Sequence, residues 1–493
     1  MQWDEVNHFN GALLLIRGQI FQYAATNSFY PPMYNLVTAV YFALAGANVL
    51  TGRLVAVTFS LFSFFVVCKI AKETYGEKTA LLSGVLFAVM PGIVWLASMA
   101  LIETTLIFVF CVSMLFFFKW LKNSRELDLT LSIVALVIGV LVKYQILVVA
   151  PIIMVASVFA FGKGGFLKIH TERFVHSKRL WLGVLLVVLA AFLFFELYAS
   201  GMLNVWLYVL QVGNTGQTWY SNRFSTPIFY LLEMVWPYSD KHPISLLLYG
   251  LGLAGLALFA YRRKPSDKFL LVWFIIIYVV FIIIPNRQWR YVTPLFPVLS
   301  ISASALVASI LGRLQKTWQS TKSSLTKKHL AKFSAVILII FVAAGIFYSS
   351  IDAYSWVGQN QPQIPVQEAA TYAMSKQQSN QSILVLCPYN LFNKDMFWFY
   401  LNSKSASQTP VYQYPELAVD SYRPQFNTTY LVNFCQTNGT KIVMLYEYGE
   451  TTAYYNSDLT EQTVFGMLNE TRRFSLTVTF GTAPNRIFAL SFK

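Results

Sequence analysis

Apolar residues in this chain do not alternate; they gather in long blocks. The blocks lie near 49–69, 79–97, 103–121, 127–142, 144–161, 180–200, 244–261, 268–284, 291–312 and 333–350. Most approach the ~20 residues an α-helix needs to cross the hydrocarbon core of a bilayer. Blocks 127–142 and 144–161 almost fuse around Lys143 and predict a hairpin that turns at one membrane face. A shorter run, 31–46, opens on Pro31-Pro32 and predicts a helix lying along the interface rather than across it. From residue 351 the pattern turns polar and mixed. There Ser382–Cys387 and Lys441–Tyr446 read as buried strands, and Leu391–Leu401 and Thr429–Gln436 as helices. Phe474–Phe480 and Arg486–Phe492 read as a hairpin across Gly481–Asn485. The expectation is a polytopic α-helical membrane protein over residues 1–350, followed by a small α/β domain over 351–493.

Composition strengthens the membrane reading. Of 493 residues 56% are hydrophobic and only 12% charged, against about 25% charge in a soluble domain. The net charge of +15 raises the question of nucleic acid. The cations are dispersed among short loops, however, which is where charge orients a polytopic protein. One loop holds Lys69, Lys72 and Lys78; the next Lys119, Lys122 and Arg125; then Lys163 to Arg179, Arg262 to Lys268, and Arg313 to Lys332. They follow alternate blocks and are therefore predicted cytoplasmic. Residues 1–48, the turns at 98–103, Lys143 and 286–290, the loop 201–243 and the tail then face outward. Four Asn-x-Ser/Thr sequons, at Asn380, Asn427, Asn438 and Asn469, all fall in that tail, as a translocated position requires. The expected location is a plasma membrane, or the endoplasmic reticulum membrane in a eukaryotic cell, with the C-terminal domain extracytoplasmic. Cys68 and Cys111 sit in apolar blocks as buried small hydrophobes, whereas Cys387 and Cys435 have the option of pairing in an oxidising space.

This topology puts Asp4, Glu5, His8, Glu103, Lys143, Arg287 and Arg290 on one side. Acids and bases gathered at one membrane surface suit a reaction on a lipid-borne anion: a phosphate wants cationic donors, and a hydroxyl nucleophile wants a carboxylate base. Each residue also has a plainer reading. Asp4 and Glu5 fit solvated loop acids, Glu103 a helix-dipole cap, Lys143 a snorkelling turn lysine and His8 a polar loop histidine. Arg287 and Arg290 are more informative, because outer positive charge runs against the positive-inside trend.

Trp3-Asp4-Glu5-Val6-Asn7-His8, then Gly18, Tyr30-Pro31-Pro32, Gly46 and Gly52-Arg53-Leu54 resemble the start of a GT-C glycosyltransferase. The branch is that of the protein mannosyltransferases and aminoarabinose transferases. Ala100-Leu-Ile-Glu103-Thr-Thr-Leu, Lys143-Tyr144 and Arg290-Tyr291-x-x-Pro294-x-x-Pro297 continue the resemblance, which covers roughly residues 3–312. It implies an integral membrane enzyme that moves a sugar, mannose among the candidates, from a polyprenyl- or dolichyl-phosphate donor to an extracytoplasmic glycan, protein or lipid acceptor, with inversion. On the family pattern Asp4 corresponds to the proposed general base, Glu5 to its partner acid and Glu103 to the second outer acid, usually Asp in relatives. Lys143, Arg287, Arg290 and Tyr291 are the candidates for the donor phosphate, and His8 for the acceptor side. Some relatives hold a divalent metal ion between the two acidic sites and some need none; Asp4 and Glu103 are the candidate ligands. Relatives carry a transmembrane helix ahead of the Asp-Glu loop, whereas three residues precede Asp4 here; the expectation is either that Met1 is not the true start or that this helix is missing.

Two other classes compete. A transporter or flippase of lipid-linked substrates should show intramembrane charge and an internal repeat; only Glu196 stands near a block end, and no repeat is visible. A membrane scaffold presenting a glycosylated tail would disperse its outer acids. An oligosaccharyltransferase of the same superfamily should carry Trp-Trp-Asp-x-Gly in the tail, which is absent.

Overall fold

A computed structural model describes residues 3–26, 30–159, 185, 219–237, 241–320, 323–359, 364–378, 381–387, 392–404, 408–414, 426–447 and 461–493. Block 180–200 (position 185 apart), the basic loop from Lys163 to Arg179, Glu196 and the sequon at Asn380 lie outside these residues. The chain divides into two units. One comprises residues 1–23, 35–52 and 359–493, the other 24–34 and 53–358.

The first unit is built on a five-stranded sheet, in the order β2-β1-β3-β5-β4. Its strands are β1 (Ser382–Leu386), β2 (Val411–Tyr414), β3 (Thr440–Tyr446), β4 (Phe474–Phe480) and β5 (Ile487–Phe492). β1 runs parallel to both neighbours, and β5 antiparallel to β3 and β4. β1 is buried along its whole length, which is why it reads as a continuous apolar run rather than an alternating one. The two strands, two helices and terminal hairpin expected in the tail are all present. No disulfide joins Cys387 and Cys435, both of them buried.

The sequence reading cut the chain at 350, which would leave the N-terminus with the spans. The unit containing the sheet instead includes the first helix, α1 (Trp3–Ile16). The reason is apolar packing. Val6 is fully buried in the core formed by β1, β3 and β5. The Phe9 ring lies 5.2 Å from that of Phe399. Asn10 Nδ2 adds a hydrogen bond to the Asp395 carbonyl at 2.9 Å, and Arg17 donates to the Asn402 carbonyl. After α2 (Ile20–Thr26) comes α3 (Met33–Ala45), whose 13 residues span about 20 Å at ~1.5 Å each. That is too short to cross, as Pro31-Pro32 and the run length predict.

The second unit carries the spans. Among the described residues, five helical segments are long and apolar enough to cross a membrane, or six if one bent pair counts as a span. They are α4 (Val49–Tyr75), the pair α5 (Glu77–Ala88) and α6 (Pro91–Ser98), α7 (Glu103–Asn123), α12 (Pro265–Ile283), the segment Trp289–Gln319 that ends in α13 (Phe296–Gln319), and α14 (Leu325–Gln359). The shorter helices between them are α8 (Glu126–Val142), α9 (Val149–Phe159), α10 (Phe229–Glu233) and α11 (Leu246–Arg262). Block 79–97 is thus not one straight helix: α5 and α6 meet at a 60° bend where Pro91 cannot continue the α5 ladder. The backbone groups freed there find partners. Ser349 Oγ donates to the Val89 carbonyl at 2.6 Å, and Gly92 N–H to the Pro243 carbonyl at 2.8 Å.

Helices in lipid gain little from hydrophobic association, so close backbone approach and hydrogen bonds hold them together. Ser113 and Ser132 exchange hydroxyl-to-carbonyl bonds across the α7–α8 hairpin at 3.0 and 2.8 Å. At Gly255 of α11 a Cβ would meet the Ser302 carbonyl oxygen of α13 at 2.2 Å, and Ser302 Oγ donates to the Gly252 carbonyl at 2.8 Å.

Candidate active site

Asp4 and Glu5 occupy the first turn of α1 rather than a loop. An acid is favoured there by the unpaired N–H groups and dipole of the helix start. The two differ in exposure: Asp4 is half-buried, while Glu5 is fully buried. His8, one turn further, shares the face of Asp4 and is itself 1% exposed. Its Nδ1 donates to Asn35 Oδ1 at 2.7 Å, and Asn35 Nδ2 donates to the Tyr23 hydroxyl at 3.2 Å. With the proton on Nδ1, a neutral His8 carries its lone pair on Nε2. A polar chain of three residues therefore sets the ring and tautomer of His8. The motif glycine Gly52 has a steric reason, since a Cβ there would lie 2.0 Å from the Phe9 ring.

In the second unit the α7–α8 hairpin brings together residues 40 positions apart. Glu103 opens α7, and Lys143 closes α8 in an extended conformation. Lys143 Nζ donates to Glu103 Oε1 at 3.0 Å, with the side chains only 15% and 4% exposed. The same ammonium lies 5.9 Å from the centre of the Tyr291 ring. Tyr291 sits in the helical turn Trp289–Leu295, directly after Arg290. Arg290 holds Gln288 Oε1 through Nε at 3.3 Å and Nη at 3.1 Å. The second unit thus gathers Glu103, Lys143 and Tyr291 at one end of α7. Asp4, Glu5 and His8 belong to the first unit.

Arg287 is held by main-chain carbonyls. Its guanidinium donates to the carbonyls of Ile282 at 3.2 Å and Ser221 at 3.4 Å, and its main chain exchanges bonds with Ser221 Oγ. The guanidinium also lies 5.8 Å from the Phe229 ring centre. Arg287 therefore ties the segment 219–229 to the turn before Tyr291.

Sequence reasoning missed Glu233 at the end of α10. It is fully buried, and neither carboxylate oxygen has a hydrogen-bond partner among the described residues. Burial pushes its carboxyl up from the ordinary 4.5 to about 8; the Arg223 charge and the nearby Trp289 N–H pull weakly the other way. Burial likewise raises the Tyr230 hydroxyl, and the neighbouring Tyr291 adds to the shift. Also missed was an indole cluster beside the same turn. Trp95 stacks on Trp356 at 5.3 Å, and Trp289 lies 5.8 and 5.6 Å from the two. The signal was available: three tryptophans near block ends are what an interfacial aromatic belt provides.

A divalent metal fits this arrangement poorly. Glu103 already faces a cation, the Lys143 ammonium. Among the described residues no three His, Cys, Asp or Glu side chains are placed to share a metal ion.

The overall architecture matches solved membrane glycosyltransferases. ArnT from Cupriavidus metallidurans bound to undecaprenyl phosphate superposes with a TM-score of 0.67 at 14% identity, over 99% of this chain and 93% of that one. The Archaeoglobus fulgidus oligosaccharyltransferase in its apo form gives 0.56 at 13% identity, over 90% of this chain and 65% of that one. The AglB oligosaccharyltransferase from the same organism, with an inhibitory peptide and a dolichol-phosphate, gives 0.53 at 12%, over 93% and 66%. At such identities the likeness establishes the fold, and that fold is the GT-C glycosyltransferase fold. Within it, residues 30–212 match the dolichyl-phosphate-mannose-protein mannosyltransferase family model. The two findings bear out the resemblance carried by the motifs from Trp3 to Pro297. No curated protein matches the chain.

Proposed function

We propose that this chain is an integral membrane glycosyltransferase that moves a sugar from a polyprenyl-phosphate donor to an extracytoplasmic hydroxyl acceptor, with inversion. The observation that carries the reading is the cationic end of α7 in a GT-C fold: Lys143 held on Glu103 beside Tyr291, with Arg290 next in the chain. The ArnT and AglB structures hold undecaprenyl phosphate and dolichol-phosphate, which favours a polyprenyl-phosphate carrier here. The family match favours mannose among the sugars.

In the reaction the acceptor oxygen attacks the anomeric carbon, and its proton passes to the Asp4 carboxylate. The bond from that carbon to the phosphate oxygen breaks, and the electron pair leaves with the lipid phosphate. Negative charge on the phosphate grows in the transition state, so cations already in place lower the barrier. Arg290 is suited to this role because its fork is planar and it keeps its charge. Lys143 supplies a second point charge. The outward placement of these groups rests on the distribution of basic loops.

The test is turnover by the purified full chain with a panel of polyprenyl-phosphate sugars and hydroxyl acceptors. Asp4→Asn should bind donor and lose about 10²–10⁴-fold in turnover. Arg290→Ala should slow turnover strongly, and Arg290→Lys should recover part of the loss. A folded Arg290→Ala variant working at the parent rate refutes the phosphate role. Donor crossing a bilayer in proteoliposomes without acceptor-dependent consumption would place the chain among the flippases.

A further inference from the structure

A second polar feature stands at the end of the spans opposite Glu103. Lys122, near the far end of α7, pairs with Glu73 of α4 at 3.4 Å. Beside Glu73, the end of α4, the starts of α5 and α12, and the middle of α13 line an open cavity of about 540 Å³. Three cations line it, Lys78, Arg262 and Lys264. The one acid in its lining, Glu77, is paired with Lys72.

We propose that this cavity is a phosphate site, filled by the headgroup of an anionic phospholipid from the adjoining leaflet. Arg262 is prepared for such a ligand. The fully buried Asp267 accepts from its Nε at 2.8 Å and from one Nη at 2.6 Å, and the Tyr75 hydroxyl donates to the same carboxylate at 2.8 Å. The guanidinium also lies 5.3 Å from the Tyr75 ring centre. Its orientation is therefore fixed before any ligand arrives, and its second Nη takes no part in the pairing with Asp267. Fixed guanidinium forks hold phosphate oxygens at little further entropic cost.

The remaining walls fit the rest of a headgroup. α5 starts at Gly76 with no side chain capping its first turn, which adds backbone N–H donors beside Lys78. Ala305 and Ala308 of α13 give a small, apolar side, suited to glycerol and the first acyl carbons. The volume exceeds what a bare phosphate fills. The site also lies where helices end among basic loops, and basic pockets between transmembrane helices on that side favour anionic headgroups. The proposal is independent of the sugar-transfer reading, since none of these residues belongs to that site.

Delipidated full-length protein in detergent, titrated with phosphatidylglycerol or phosphatidylcholine and read by native mass spectrometry, tests it. Two variants are needed: the exposed pair Lys78→Gln/Lys264→Gln, which spares the Arg262–Asp267 pairing, and Ala308→Trp, which obstructs the apolar side of the cavity without changing charge. Phosphatidylglycerol should be retained in preference to phosphatidylcholine. The double variant should bind it on the order of 30-fold more weakly, from ~1 kcal/mol per basic residue and ~1.4 kcal/mol per tenfold. Ala308→Trp should abolish the retained copy. Equal retention by the parent and both variants, or no preference between the lipids, overturns the proposal. Inorganic phosphate displacing the lipid at millimolar concentration would make free phosphate the ligand and overturn the lipid assignment.

Discussion

Lys143→Met separates what the Glu103–Lys143 pair does for the fold from what it does for the reaction. The pair is short, 3.0 Å, and its members are 4% and 15% exposed. Removing the ammonium takes from a buried carboxylate the cation that pairs with it at 3.0 Å. Breaking a buried pair in this way costs about 3–5 kcal/mol, whereas replacing both members costs far less. Lys143→Met should therefore lower the apparent melting temperature in detergent clearly. Glu103→Gln/Lys143→Met should regain most of that loss. Turnover should behave differently. If Lys143 meets the departing phosphate, its loss costs about 10²–10³-fold, the scale for one preorganised donor, and the double variant should stay slow while regaining stability. The assay pairs a thermal unfolding series with turnover on one donor and acceptor. A double variant as fast as the parent would reduce Lys143 to a structural role. A double variant no more stable than Lys143→Met would show that Glu103 does not carry an uncompensated charge in the single variant, and the electrostatic reasoning would fail.

Glu233 makes stability depend on pH. Its folded carboxyl is raised from 4.5 to about 8, so its contribution is intact below pH 4.5, is lost as pH rises through about 8, and is flat above; the full loss is on the order of 3–5 kcal/mol at ~1.4 kcal/mol per tenfold. Glu233→Gln should flatten the parent's decline in melting temperature between pH 5 and 8, and a parent whose stability rises over that window contradicts the burial argument. Gly255→Val should separate α11 from α13, because even a Cβ would meet the Ser302 carbonyl oxygen at 2.2 Å; loss of folded protein on size-exclusion chromatography checks it. Asn393 Oδ1 accepts from Met396 N–H at 3.0 Å and caps the helix Lys394–Asn402, so Asn393→Ala should cost about 0.5–2 kcal/mol in chemical denaturation and leave donor binding unchanged.

Legibility in the sequence followed the reach of each interaction. Apolar blocks showed the spans, because a helix in lipid satisfies its backbone locally and needs only length and composition. The break at Lys143 was visible because a lone cation interrupts two apolar blocks, and α8 ends there. The buried strands Ser382–Leu386 and Thr440–Tyr446 stood out as short apolar runs bounded by polar residues. What escaped was decided at long range. Nothing within Trp3–Ile16 says that Val6 joins a sheet almost 400 residues away. Glu233 sits in a five-residue helix with no periodicity, where a lone glutamate reads as solvated; only the enclosing segments bury it. Arg287 and Arg290 looked alike in the sequence, and neighbouring carbonyls distinguish them, because those of Ile282 and Ser221 engage the first.

The ion pair also bears on how one end of α7 can serve a reaction whose charge changes. A polyprenyl-phosphate sugar carries one negative charge, and its leaving phosphate gains another as the glycosidic bond breaks. A strongly positive site would bind donor and transition state alike, which tightens binding without speeding chemistry. Glu103 offsets the charge of Lys143 in the resting site. On the proposed reaction, the ammonium would meet a second, growing anion as the phosphate becomes dianionic and interact with it more strongly than with the donor's single charge. Arg290 holds the neutral amide oxygen of Gln288 through Nε at 3.3 Å and Nη at 3.1 Å. On the proposed reaction, Lys143, tempered by Glu103, would serve the difference between donor and leaving group on which rate depends, and Arg290 the donor phosphate.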